Sequence, residues 1–304
     1  MKKLISILIL IFLIQFVAFA KNADKLIDSG IYKINNKDFQ GAVSDLDSAI
    51  KLNPKNARAY CNRGLAKSYL KDYSGSILDC NKAIELDGKY EVAFYYRGYS
   101  RFCLGDFTAA IADFDSSLII NPNYAVVYLY RARANSKLKD SKAAISDYNK
   151  AIEADPKNPN LYIFRGIEKE SMDNYAGATI DYNKAIKSDP KSSGAYYRRG
   201  SVILKIGGFE DALKDFDKAI GIDSNFAEAY RARGETRYEL MDLDGAIADL
   251  DRAITIKPNE AFYYYTRGRA KQKKVDFIGA CADWKKALDL GLSVSADLIK
   301  SNCK

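Results

Sequence analysis

Along residues 91–124 the chain alternates two apolar-rich stretches with short polar breaks. Gly105-Asp106 separates the stretches and Asn121-Pro122 closes the second. This pattern predicts a helix over 92–104, a tight turn, and a second helix over 107–120. The same arrangement recurs up and down the chain, so the pattern describes a repeating unit rather than one isolated hairpin.

The period is 34 residues. Arg63, Arg97, Arg131, Arg165, Arg199, Arg233 and Arg267 keep it, as do Asp45, Asp79, Asp113, Asp147, Asp181, Asp215, Asp249 and Asp283. Gly30, Gly64, Gly98, Gly166, Gly200, Gly234 and Gly268 fall in step, with Ala132 in the remaining place. Two Ala columns run through the second helices, one from Ala42 to Ala280 interrupted by Ser76, the other from Ala49 to Ala287 interrupted by Ser117.

Asp38, Asp72, Asp106, Asp140, Asp242 and Asp276 stand just before the second helix, where a carboxylate can accept from unpaired first-turn amides. Pro54, Pro122, Pro156, Pro190 and Pro258 lie where that helix must stop, with Gly88 and Ser224 as exceptions that predict looser turns. Small residues in the first helix are expected to face Ala in the second. Tyr60, Phe94, Tyr128, Tyr162, Tyr196, Tyr230 and Tyr264 would then fill the gap to the neighbouring hairpin.

These columns resemble the tetratricopeptide repeat (TPR) at nearly every signature position, over eight units from Ala23 to Val294 (23–56, 57–90, 91–124, 125–158, 159–192, 193–226, 227–260 and 261–294). Residues 295–304 look like a polar capping helix. Departures are local: Leu26 and Ser29 in the first unit and Leu292 at the end. The resemblance implies an all-α fold, an α-solenoid wound as a right-handed superhelix, whose concave face is lined by first helices and binds peptides or partner domains.

The Arg and Asp columns read as structure. Ser29 replaces Arg in the first unit, which suggests pairing of each Asp with the Arg of the next unit, Asp45 with Arg63 through to Asp249 with Arg267. A stripe on the first helices, facing away from the Gly column, varies between units and carries the candidate partner-binding residues. They are Tyr95, Tyr99 and Phe102; Leu129 and Arg133; Ile163 and Ile167; Tyr197; Arg231 and Tyr238; and Tyr265 with Arg269. Aromatic and Arg side chains are the composition of binding hot spots, and plain core is the alternative for an apolar stripe. TPR domains that clamp a chain terminus carry Lys and Asn one turn apart. Ile27/Ile31, Cys61/Leu65 and Tyr95/Tyr99 stand in those places, which argues against such a clamp.

The amino end differs from the rest. Lys2-Lys3, an apolar run from Leu4 to Phe19, and Ala18-Phe19-Ala20 form a secretory signal over residues 1–20, cut after Ala20, with an uncleaved anchor as the alternative. After cleavage no stable membrane insertion is expected. Export supplies an oxidising compartment. Cys281 lies ten residues before Gly291 and Cys303 twelve after it, so an antiparallel turn would bring them level for a disulfide. Cys61, Cys80 and Cys103 read as thiols packed as small apolar groups.

The 304 residues include no His, which removes Ser-His and Cys-His nucleophile pairs and any His-ligated zinc. No Gly-rich phosphate loop occurs, and no span outside the repeats could hold a catalytic domain. The formal charge of +8 comes from Lys and Arg interleaved with Asp and Glu, which argues against nucleic acid. The sequence therefore predicts an exported, non-enzymatic scaffold, bacterial and periplasmic, cell-surface or secreted, with a protein or peptide partner and no cofactor or metal. An accessory subunit of an envelope enzyme or polysaccharide-export assembly is the alternative, and a glycan or small-molecule binder a weaker one.

Overall fold

The computed structural model describes residues 22–303, so the expected signal segment lies outside the described residues. No strand occurs among them. The chain divides into two units, residues 1–156 and 157–304, each taken by itself below. No helix among the described residues is long and apolar enough to cross a membrane.

The first unit holds α1 (residues 22–35), α2 (Phe39–Leu52), α3 (Ala57–Tyr69), α4 (Tyr73–Leu86), α5 (Glu91–Leu104), α6 (Phe107–Ile120), α7 (Ala125–Lys137) and α8 (Ser141–Ala154). The second holds α9 (Pro159–Ser171), α10 (Tyr175–Ser188), α11 (Ser193–Lys205), α12 (Phe209–Ile222), α13 (Ala227–Glu239), α14 (Leu243–Ile256), α15 (Ala261–Lys273), α16 (Phe277–Asp289) and α17 (Ser295–Asn302). In each unit helices pack in pairs, each pair packs on the next, and the first helices of neighbouring pairs touch directly. The fold is an all-α array of helical hairpins, the solenoid class.

Each local stop has a residue behind it. Asp38, Asp72, Asp106, Asp140, Asp242 and Asp276 accept from the amide three residues on, and Asn174 does the same in the fifth hairpin. The residue that turns the chain inside a hairpin is left-handed: Gly105 and Gly207 adopt φ near +86°, but Lys37, Lys71, Lys139, Asp173, Met241 and Val275 are forced there too. The second helices end without help from proline. α4 and α12, which are followed by Gly88 and Ser224, stop in the same register as the others, because Asp87 and Asp223 accept from the amides of Lys89 and Asn225. Asn53, Asn121 and Asp189 make the same turn ahead of their prolines, so the turns at Gly88 and Ser224 share its hydrogen bond.

The packing of the small residues is corrected in part: a Cβ on Gly234 would lie 3.2 Å from the Ala246 carbonyl oxygen, as expected, but other glycines meet a different neighbour. A Cβ on Gly98 would lie 2.7 Å from Phe114, and one on Gly268 2.5 Å from the Trp284 ring, so these glycines face the large residue that follows the Asp column rather than Ala. Leu46, Cys80, Phe114, Tyr148, Tyr182, Phe216, Leu250 and Trp284 form that column, and all are buried. Missing side chains on one helix make room for the largest on the other, which keeps the hairpin densely filled.

Candidate functional site

The charged ladder comes first, because it decides which side chains remain for a partner. Each column Arg binds the Asp sixteen residues later in its own hairpin, not the Asp of the previous unit in the same column. Arg233 donates from Nε and Nη2 to Asp249 at 2.9 and 2.6 Å, while its Nη1 reaches Asp217 on the preceding hairpin at 2.6 Å. Arg63 joins Asp79 and Asp47 in the same way, Arg131 joins Asp147 and Asp115, and Arg267 joins Asp283 and Asp251. Arg97 and Arg199 use Asn81 and Asn183 as the second acceptor.

The link between hairpins therefore runs through a different column, two residues beyond the buried Asp. The first hairpin shows why the register was misread: Ser29 takes the Arg place and donates to Asp45 at 2.6 Å within the same hairpin. The column aromatics support the ladder rather than filling a gap alone, since every column guanidinium lies 5.4 to 5.7 Å from the ring three residues before it. Burial works against the charge on Arg63, Arg131, Arg233 and Arg267, but their acidic partners raise these guanidinium pKa values further still. The ladder is saturated and holds the scaffold.

Part of the candidate stripe joins the core packing. Tyr95 rests on Phe114, Tyr124 and Tyr130, with centroids 5.4 to 6.3 Å away, and burial raises its hydroxyl pKa. Phe102, Ile163 and Tyr197 likewise pack on buried clusters. Tyr95 thus takes part in the packing between hairpins: Tyr124, the N-cap of α7, meets it from the next hairpin. Tyr99, Leu129, Arg133, Ile167, Arg231, Tyr238 and Tyr265 are half-buried, as Tyr95, Phe102, Ile163 and Tyr197 are, and Arg269 is exposed.

In the first unit Tyr99 meets Tyr130 edge-on at 5.1 Å, and Arg133 lies over both Phe102 and Tyr130, at 5.1 and 5.4 Å. Tyr130 is the hub of this group. It was missed because it sits one position beside the stripe drawn from the sequence. In the second unit Arg231 pairs with Glu235 at 2.5 Å and lies over Phe262, which stacks on Tyr265. Here α11, α12, α13 and α15 enclose a cleft of about 300 Å3 lined by Leu204, Phe209, Tyr238 and Phe262, with Glu235, Glu239 and Arg269 also at its wall.

Free Cys103 is half-buried rather than packed away in the core as expected, and its thiol lies within hydrogen-bonding reach of Tyr99. Cys281 and Cys303 are joined by a disulfide that ties α17 to α16, with Cα atoms 5.7 Å apart. Cys61 and Cys80 are free and buried; burial raises the Cys61 thiol well above its ordinary value and, partly offset by Ser76, pushes the Cys80 thiol up to about 12, so neither is a ready nucleophile. Among the described residues no group of His, Cys, Asp and Glu is placed to hold a metal ion.

Family profiles for the tetratricopeptide repeat match residues 57–90, 125–158 and 197–261. No curated protein matches the sequence significantly. Among solved structures, the Cut9–Hcn1 hetero-tetramer of the APC/C aligns over 88% of this chain with TM-score 0.63 and 16% identity. The chain spans about half, 53%, of that neighbour's length. YrrB, described as a TPR protein with an unusual peptide-binding site, aligns over 62% of this chain and 97% of its own, at 22% identity and TM-score 0.56. A tetratricopeptide repeat protein from Parabacteroides merdae aligns over 82% of this chain and 99% of its own, at 19% identity and TM-score 0.59. At these identities the neighbours speak for the fold alone. Repeating columns, hairpin packing and profile matches together identify the chain as a tetratricopeptide-repeat protein of eight tandem units.

Proposed function

We propose that the chain is an exported, non-enzymatic scaffold that binds a segment of another protein on the first-helix faces of its hairpins. The observation that carries this reading is the division of labour among side chains. The ladder and the large-residue column take up the packing, while partly open aromatic and Arg side chains gather on α5 and α7 and around the cleft between α11 and α15. Peptide binding by YrrB, which shares the fold, supports the same use of such a surface. Export is supported by the charged and apolar amino end with its small-residue site at Ala18-Phe19-Ala20, and by a disulfide suited to an oxidising compartment.

A second reading, an accessory subunit docked through its second helices, is favoured by Leu78, Ile119 and Ile278, which are 69%, 81% and 88% exposed. A photo-crosslinking residue placed at Tyr238 or at Ile278 in the native host separates the two. The scaffold reading expects one discrete protein captured from Tyr238 and none from Ile278, and the reverse outcome supports docking through the second helices. Sequencing the mature amino terminus tests export, with Lys21 expected as its first residue.

A further inference from the structure

The cleft of the second unit carries a chemical preference as well as a shape. Its wall combines four apolar side chains from four helices, Leu204, Phe209, Tyr238 and Phe262. Its volume of about 300 Å3 sits at the low end for ligand pockets, which suits one large side chain rather than a whole small ligand. The charges beside it are unbalanced. On α15, Arg267 and Lys271 bind Asp283, and Lys274 binds Asp244, so these cations are satisfied.

Arg269 and Lys273, one turn apart on the same helix, both lie over the Tyr238 ring, at 5.0 and 5.7 Å, and meet no carboxylate among the described residues. Two cations one turn apart on a helix repel. Of the acids at the wall, Glu235 is already neutralised by Arg231. Glu239 alone therefore stands against two uncompensated cations, and the rim keeps a positive balance.

We infer that this cleft receives an internal, acidic stretch of the partner, with one large apolar side chain seated between Leu204, Phe209 and Phe262 and the neighbouring side-chain carboxylate on Arg269 and Lys273. The inference rests on the partner-binding reading above and names the partner's chemistry. Tyr238 serves both halves: its ring walls the apolar space and its face holds the two cations in place. Carboxylate binding there relieves the repulsion within α15, and being exposed it weakens as salt is raised.

Fluorescence anisotropy on the full chain tests this with the labelled, doubly capped peptide Gly-Ser-Leu-Phe-Asp-Glu-Ser-Gly. Two controls carry Asn-Gln for Asp-Glu, or Ala-Ala for Leu-Phe. Capping removes the terminal carboxylate, and an uncapped Asn-Gln peptide measures its separate effect. The acidic peptide is expected to bind about ten-fold tighter than the neutral one, and R269Q with K273Q to abolish that difference. Equal binding of acidic and neutral peptides overturns the inference, as does an acidic preference that survives in the double variant; in both cases peptide binding, and so the scaffold reading, still stands. A preference restored only by the uncapped terminus also overturns it. If no peptide binds while the crosslinked partner does, the inference falls and a folded partner surface replaces the peptide.

Discussion

Arg131 and Asp147 lie sixteen residues apart on the two helices of one hairpin, and two hydrogen bonds join them, Nε to Oδ2 at 2.9 Å and Nη2 to Oδ1 at 2.6 Å. This bond closes each hairpin on itself, and the third guanidinium donor is left to reach the hairpin before. The two roles should differ in energy. D249A takes the buried carboxylate from Arg233, which keeps Asp217, and from Arg237, which keeps Asp242 at 3.6 Å, and is expected to cost about 1 to 3 kcal/mol. D217A removes a bond to a carboxylate that is 57% exposed, and is expected to cost about 0 to 1 kcal/mol. Urea unfolding of the two variants checks this, and equal losses contradict the register of the ladder.

Acid acts on the first hairpin through Asp45. Burial opposes its charge, but hydrogen bonds from Lys33 and Ser29 outweigh it and hold its carboxyl below the ordinary aspartate value. A folded-state pKa below the unfolded one means that the stabilisation is present above about pH 4 and is lost as pH falls through the folded value. K33M should therefore lower the melting temperature at pH 7, and the gap to wild type should close on acidification below that value. A gap that persists when Asp45 is protonated in both proteins places the effect of Lys33 elsewhere.

Backbone and packing constraints give opposite signs at three sites. G268A pushes a methyl into the buried Trp284 ring and is expected to cost about 1 to 3 kcal/mol. G221A, at an open position near the end of α12, should be neutral or slightly stabilising, by at most about 0.5 kcal/mol. Val275 is a β-branched residue at φ 67° and 71% exposed, so V275G relieves the strain without losing packing and should stabilise by about 1 kcal/mol. Thermal melts of the three variants test the set.

The disulfide closes a loop of 22 residues, worth about 3 kcal/mol in the chain-entropy account. C303S should raise amide exchange in α16 and α17, while protection in the first unit stays as in wild type, because repeat arrays transmit stability mainly to neighbours. Exchange that rises across both units would mean that the array unfolds as one cooperative body.

Features that demand one residue type per unit were legible in the sequence. The turns need an Asp or Asn cap, and the close contact needs Gly or Ala, so these show as columns. The ladder's register was not legible, because with strict periods Arg63 fits Asp45 as well as Asp79, and only the antiparallel packing of α3 on α4 chooses. The core column from Leu46 to Trp284 escaped for the opposite reason. Its positions require bulk and burial rather than identity, so Leu, Cys, Phe, Tyr and Trp all occupy it. On the stripe, periodicity could not tell Tyr95, which packs on Phe114, Tyr124 and Tyr130, from Tyr99, which meets Tyr130 edge-on.

The account turns on whether the first-helix face is the one a partner meets, and equilibrium binding of the crosslinked partner to three variants measures that directly. Y99A and Y238A each remove a partly open ring from that face and should weaken binding by on the order of 1 to 4 kcal/mol with helicity retained. I278A, on the opposite helix of its hairpin, should bind as wild type does. Full affinity in both tyrosine variants together with a loss in I278A would contradict the account and place the interface on the second helices.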